Sequence, residues 1–231
     1  MKLTRISNAG LWVETDGVYF LLDGLHGGDV HPYCGMDPAW EQKWGGTAPE
    51  ADVLAFTHAH PDHFEPGRVC RYLAAHPKTK VYAGPDVLSV LRAQGVAPDR
   101  LLSWQAPGPL GLSAFPTRHI GPEFRDVFHC SLVLQGDSIL LFAGDASPVR
   151  SNFLTLPPSF SPDILAAPFP FVLGNAPFRI IQSILRPQAV CILHLPAPQG
   201  DPACFWLRAR RGAASLPMPT RLMKLGETMV F

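Results

Sequence analysis

The sequence predicts a layered α/β fold, and three observations predict it. Apolar residues make up 47% of the 231 positions and charged residues only 16%. So little charge over that length implies elements covered on more than one side. Short apolar runs bounded by turn residues alternate with segments of helical period, the pattern of strand and crossover helix. Several of those runs end directly in His or Asp, placing polar groups where α/β sheets gather ligands.

The elements follow in order. Leu11–Thr15 reads as a strand, Asp16-Gly17 as a hairpin turn and Val18–Leu22 as the partner strand, closed by Asp23-Gly24. Residues 24–50 read as a long loop rich in Gly, Pro, His and Trp, a length that often marks function. A buried strand is predicted over Asp52–Thr57. A helix follows over Pro66–His76, with Val69, Tyr72, Leu73 and His76 at helical spacing and Pro66 in its first turn. Lys80–Ala83 is a short strand, and Pro85–Gln94 a helix stopped by Gly95. Leu112–Thr117 is a strand that Pro116 confines to an edge. Cys130–Leu134 and Ser138–Ala143 pair around Gln135-Gly136-Asp137, and Asp163–Ala167 is buried. Asn175 is the expected N-cap of a helix over Pro177–Leu185, ended by Pro187, and Ala189–Leu193 is a further strand.

Length and composition fit one domain spanning residues 1–231. Lys+Arg and Asp+Glu are equal at 19 each, so no basic surface advertises a nucleic acid. No apolar run approaches the roughly 20 residues that span a bilayer, and the N-terminus carries no secretory signal pattern. The five cysteines, Cys34, Cys70, Cys130, Cys191 and Cys204, are scattered and odd in number. Free thiols in a reducing cytoplasm are expected. The expected partner is a small-molecule substrate, without nucleic acid or membrane, and association into a homo-oligomer stays open.

The densest chemistry lies in Thr57-His58-Ala59-His60-Pro61-Asp62-His63. His58 and His60, two apart in a tight backbone, can aim at one ion, and Asp62 and His63 continue the turn toward a second. Asp145, His194 and His119 also fall just past apolar strands. A His-rich set with carboxylates and no Cys suits Zn2+, with Mn2+ or Fe as alternatives. A lone imidazole is ordinarily a satisfied packing residue, which is the reading for His26, His31, His76 and His129. His129 can also serve by hydrogen bonding behind the ligands.

Together these residues resemble the metallo-β-lactamase superfamily. Residues 57–63 resemble its His-x-His-x-Asp-His signature, Leu22-Asp23-Gly24 its strand-Asp-Gly, Phe142-Ala143-Gly144-Asp145-Ala146 its Gly-Asp motif, and Cys191-Ile192-Leu193-His194 its last ligand motif. The compact branch similar to L-ascorbate-6-phosphate lactonase is nearest in character. The long insert of the RNA-processing branch is not evident. The resemblance implies a four-layer αββα sandwich, two mixed β-sheets flanked by helices. It implies two divalent ions, with His58, His60 and His119 on the first, Asp62, His63 and His194 on the second, and Asp145 bridging. His119 sits in Thr117-Arg118-His119-Ile120-Gly121 without the usual His-Ser/Thr pair, so His129 remains an alternative ligand.

The implied activity is hydrolysis of a small ester, lactone or phosphate ester by hydroxide held between the ions. Asp62 would orient that hydroxide and shuttle its proton, and Asp23 would fix a ligand imidazole from behind. A nucleic-acid phosphodiesterase and a non-catalytic metal-binding or sensing module are the alternatives. The 24–50 loop offers His26, His31, Tyr33, Trp40 and Trp44, and residues 146–175 offer Arg150, Phe160, Phe169 and Phe171. Of these, His26, Tyr33, Trp40 and Phe169 are the candidate substrate contacts. Arg118, with Arg125 on the other flank of His119, is the candidate for an anionic group. Aromatic residues in such loops serve equally well as anchors in the core.

Overall fold

The structure, a computed structural model, describes residues 1–26, 33–44, 50–197, 201 and 203–231. The first half of the chain carries β1 (Lys2–Arg5), β2 (Leu11–Thr15), β3 (Val18–Leu22), α1 (Pro38–Trp44), β4 (Val53–Phe56), α2 (Pro66–Ala75), β5 (Lys80–Ala83), α3 (Pro85–Ala93) and β6 (Leu101–Ser103). The second half carries β7 (Leu112–Pro116), β8 (Cys130–Gln135), β9 (Ile139–Phe142), β10 (Ile164–Pro168), α4 (Asn175–Arg179), β11 (Ala189–Leu193), α5 (Phe205–Ala214), β12 (Thr220–Leu222) and β13 (Thr228–Val230).

The strands form two mixed sheets. One has seven strands in the order β13-β1-β2-β3-β4-β5-β6, the other six in the order β12-β11-β10-β9-β8-β7. In the first, β3 through β6 run parallel beside an antiparallel β1-β2-β3 meander. In the second, β9 through β12 are parallel and β7-β8-β9 antiparallel.

Alternation along the strands splits the apolar residues three ways. Leu11, Val13, Phe20 and Leu22 from one sheet meet Leu132, Leu134, Leu140 and Phe142 from the other in a central core. On the outer face of the first sheet, Trp12, Leu54 and Phe56 pack against Val69, Leu73, Val87 and Leu88 of α2 and α3. On the outer face of the second, Leu141, Leu165 and Ile192 pack against Ile181, Leu185 and Ala209. The result is an αββα sandwich. Among the described residues no helix is long and apolar enough to cross a membrane.

Several elements depart from the sequence reading. The 24–50 segment is not loop throughout, because α1 forms at Pro38. Asp37 Oδ1 accepts from the Ala39 amide at 2.8 Å, so Asp-Pro is a helix start that the lack of periodicity hid. Gly174, not Asn175, occupies the N-cap of α4, and the helix turns π-helical over Ile180–Leu185. β1, β6, β12, β13 and α5 were not anticipated. α5 buries only the small Ala209 and Ala213 within an Arg-rich segment, which erases the apolar stripe. The edge position expected for the strand containing Pro116 is where β7 lies.

Candidate metal centre

Parallel register delivers the site. Leu22 pairs with Ala55, so Asp23 and Thr57 emerge side by side from β3 and β4. Phe142 pairs with Ala166, and Pro168 with Leu193, so Asp145 and His194 emerge from the corresponding ends of the other sheet. The last turns are sharp. Asp23 has φ 47°, Gly144 φ 56° and His194 φ 60°. Left-handed backbone costs a non-glycine residue roughly 1–2 kcal/mol, and it re-aims each side chain off its strand. At Gly144 a Cβ would lie 2.7 Å from the Thr57 side chain, so only glycine lets the two sheets close here.

Three overlapping groups of ligand atoms converge, one of them Asp23 with His58 and His63, and the other two include residues that line a cavity. In these two, the ligand atoms of His58, His60 and His119 all lie within 4.8 Å of one another, as do those of Asp62, His63 and His194. Asp145 Oδ2 stands between these two groups, 3.5 Å from His119 Nε2, 3.4 Å from His63 Nε2 and 3.2 Å from His194 Nε2. His58, His63, His119, Asp145 and His194 are buried, while His60 and Asp62 are half-buried.

Hydrogen bonds from behind fix the tautomers. Thr57 Oγ1 donates to Asp23 Oδ2 at 2.6 Å, so it accepts from His58 Nδ1 at 2.9 Å. His63 Nδ1 donates to the same Asp23 oxygen at 2.9 Å. His119 Nδ1 donates to the Ile120 carbonyl at 2.5 Å. In each ring Nδ1 is engaged from behind and Nε2 faces the cluster. Asp23 thus lies behind His63 directly and behind His58 through Thr57.

His129 is held differently. Its Nδ1 meets Thr117 Oγ1 at 2.8 Å and its Nε2 accepts the Asp145 amide at 3.0 Å. Both nitrogens are engaged, and burial lowers its pKa to about 3. A neutral His129 therefore secures the Asp145 backbone. His119 is set by Asn152, whose Oδ1 accepts the Arg118 amide at 2.8 Å and whose Nδ2 donates to the carbonyls of Arg118 and Ser147.

Asn8 enters from the β1–β2 turn. Its Nδ2 lies 3.0 Å from Asp62 Oδ2 and 3.0 Å from His194 Nε2. The buried Arg5 fastens that turn, donating to the carbonyls of Ser7, Asn8 and Met223. Asn8, Asn152 and the role of Thr57 escaped the sequence reading because none carries a ligand spacing, whereas His129 was read as able to hydrogen-bond behind the ligands. The one available signal was Ser7-Asn8 between two strands, an ordinary turn.

The electrostatics divide the cluster. Burial lowers the pKa of His58, His60 and His119, aided at His58 by His63 and at His60 by His119. His63 and His194 resist burial because Asp145 raises them, assisted by Asp23 at His63 and Asp62 at His194, and His194 reaches about 9. Burial opposes charge on Asp62 and Asp145, but the hydrogen bond from His194 at Asp62, and the charges of His194 and His63 at Asp145, outweigh it and lower both. Asp62 and Asp145 thus favour positive charge at His63 and His194, the place at which a divalent cation competes with protons.

The donor set suits metal. His119 Nε2 and Asp145 Oδ1 are buried without a hydrogen-bond partner, a costly state that ligation relieves. Imidazole and carboxylate without thiolate match Zn2+, Mn2+ or Fe.

A cavity of about 320 Å³ opens over the cluster, lined by Tyr33, Glu123, Phe124, Pro168, Phe169 and Pro170 beside the ligands. Tyr33 and Phe169 are there as the sequence suggested, but three other candidate contacts are not. His26 is fully buried away from the lining, Trp40 packs on Trp12 with ring centres 5.4 Å apart, and the Arg118 side chain is exposed outside the cavity. Phe171 is buried in the outer core, and His31 lies outside the described residues. A larger cavity of about 720 Å³, bordered by Cys34, Trp206, Arg210 and Lys224, contains none of the clustered ligands.

No protein-family model and no curated protein matches the sequence. Solved structures do match. The metallo-beta-lactamase fold protein YhfI from Bacillus subtilis is 15% identical with a TM-score of 0.68, over 99% of this chain and 98% of its own. The isothiocyanate hydrolase from Delia radicum gut bacteria is 18% identical with a TM-score of 0.71, over 100% and 99%. CmlA, a diiron beta-hydroxylase from Streptomyces venezuelae, is 15% identical with a TM-score of 0.69, over 100% of this chain and 54% of CmlA. The chain has the metallo-β-lactamase fold.

Proposed function

We propose that this chain is a dinuclear metal-dependent hydrolase acting on a small ester, lactone or phosphate ester. One observation carries the reading: two three-residue ligand groups, each with donor atoms within 4.8 Å, on either side of a buried carboxylate with an unpartnered oxygen. In this reading His58, His60 and His119 hold one ion, Asp62, His63 and His194 the other, and Asp145 reaches both. His119 rather than His129 is the third ligand of the first group, because both His129 nitrogens are already engaged. When bound, such ions lower the pKa of water to about 7 and polarise the substrate oxygen.

The chain's own residues do the rest. Asp62, half-buried at the cavity and held by Asn8 Nδ2, is the group placed to accept a proton at Oδ1 or Oδ2 and return it to the leaving group. Asp23 and Thr57 keep His58 and His63 oriented, and the aromatic walls limit bulk water around the reacting bond.

Elemental analysis of the purified chain, with an ester, lactone and phosphodiester panel before and after chelation, tests this. Two ions per chain and hydrolysis lost with chelator and restored by Zn2+ or Mn2+ are expected. Two bound ions with no hydrolysis would favour the sensing module. Hydrolysis that survives complete metal removal would overturn the reading.

A further inference from the structure

The cavity over the cluster has a chemical character of its own. Phe124 sets its ring edge-on to both His60 and His119, each at 4.9 Å between centres. Tyr33 does the same to His194 at 4.4 Å. Phe169 stands on a third side, supported from behind by the Phe205 ring at 4.7 Å. Both ligand groups are therefore bordered by aromatic rings that line the cavity. Outside the ligands, Glu123 is the one charged residue among the described residues that line this cavity. Its position is set by Gly121, at φ 89°, where a Cβ would lie 2.8 Å from Glu123 Oε1, so the carboxylate lies folded over that glycine at the wall. No hydrogen bond or ion pair within the described residues engages it.

Resting on the hydrolase reading above, we infer that the substrate is a small uncharged or cationic molecule with an apolar or aromatic group beside the scissile bond. Aromatic rings offer dispersion contact at both face and edge, and their faces attract cations. A carboxylate at the rim adds attraction for positive charge and repels phosphate and carboxylate groups, which sites for anions meet with Arg or Lys. Phosphate esters are thereby the disfavoured members of the proposed class. The volume of about 320 Å³ sits at the small end of ligand cavities.

The experiment uses full-length protein loaded with zinc and three benzohydroxamates that differ only in the para group: trimethylammonium, methyl or carboxylate. Calorimetry reads binding, and the matching phenyl acetates read turnover. Trimethylammonium should bind about tenfold tighter than carboxylate, with methyl between them. Glu123→Gln should narrow that ratio about threefold, an exposed charge being worth little more. Phe124→Ala should weaken the methyl probe about tenfold while leaving the charge ranking intact. A zinc-loaded chain that binds the carboxylate probe as tightly as the others, or a ratio unmoved in Glu123→Gln, overturns this assignment. A chain that binds no zinc overturns it together with the hydrolase reading. The expected ranking without turnover of any acetate upholds the cavity's character and counts against hydrolysis.

Discussion

Thr57→Val removes one oxygen and keeps nearly the same volume, and it probes the arrangement behind the ligands rather than the ligands themselves. Thr57 Oγ1 gives its proton to Asp23 and takes one from His58 Nδ1, at 2.6 and 2.9 Å. Asp23 keeps His63 Nδ1 and the Thr57 amide in the variant. His58 Nδ1–H is then buried without an acceptor, which costs about 1–3 kcal/mol. The imidazole escapes that cost by rotating, which turns its Nε2 lone pair away from His60 and His119, or by changing tautomer, which puts the proton on Nε2. Loss of such a partner typically lowers metal affinity 10–100-fold, or about 1.4–2.7 kcal/mol. Zinc competition with a chromophoric chelator reads the affinity directly. Thr57→Ser, which keeps the hydroxyl, should recover most of it, although it loses a methyl that packs at Gly144. Zinc affinity within twofold of wild type in Thr57→Val would refute the role of this hydroxyl in orienting His58.

Four further outcomes follow from the same geometry. Asp62→Ala should abolish hydrolysis more completely than it lowers bound zinc, read by parallel rate and elemental measurements. Asn8→Leu should reduce kcat by more than it raises KM and should cost part of the second ion, because Asp62 loses its donor at 3.0 Å. Gly144→Ala should lower stability by about 1–3 kcal/mol, or roughly 2–4 °C per kcal/mol for a chain of this size, read by thermal unfolding without metal. Zinc at about a thousand times its dissociation constant should add about 4 kcal/mol to the stability of the metal-depleted protein, visible as a rise in Tm.

What the sequence made legible was local. The hairpin of β2 and β3, the helices at Pro66 and Pro85 and the strands ending at His58, Asp145 and His194 each announce themselves within a dozen residues by period, Pro or Gly. The terminal strands β1 and β13 do not, because each is stabilised by a partner at the other end of the chain, Leu3 facing Met229. Substrate contacts were the least legible. Aromatic residues in a loop look alike whether they anchor or line, and only packing separates Trp40 on Trp12 from Tyr33 on His194. Arg118 misled for a related reason: its backbone is bound by Asn152, while its side chain turns outward.

The ligands also divide between the sheets in a way that couples the centre to the fold. Asn8, Asp23 and residues 57–63 hang from the first sheet, and His119, Asp145 and His194 from the second. Each ligand group therefore needs both sheets, since His119 completes His58 and His60, and His194 completes Asp62 and His63. The sheets are held in register at that edge by the Cys130 amide bonding the Thr57 carbonyl at 3.0 Å and by Thr57 against Gly144. A core substitution that shifts one sheet against the other, such as Phe142→Leu between the sheets, should then weaken metal binding without touching a ligand. Conversely, bound ions should hold the sheets together and protect the ends of β4, β9 and β11 from hydrogen exchange more than the far ends of the same strands. Equal protection at both ends on zinc addition would mean that the centre is only attached to the sandwich and does not clamp it.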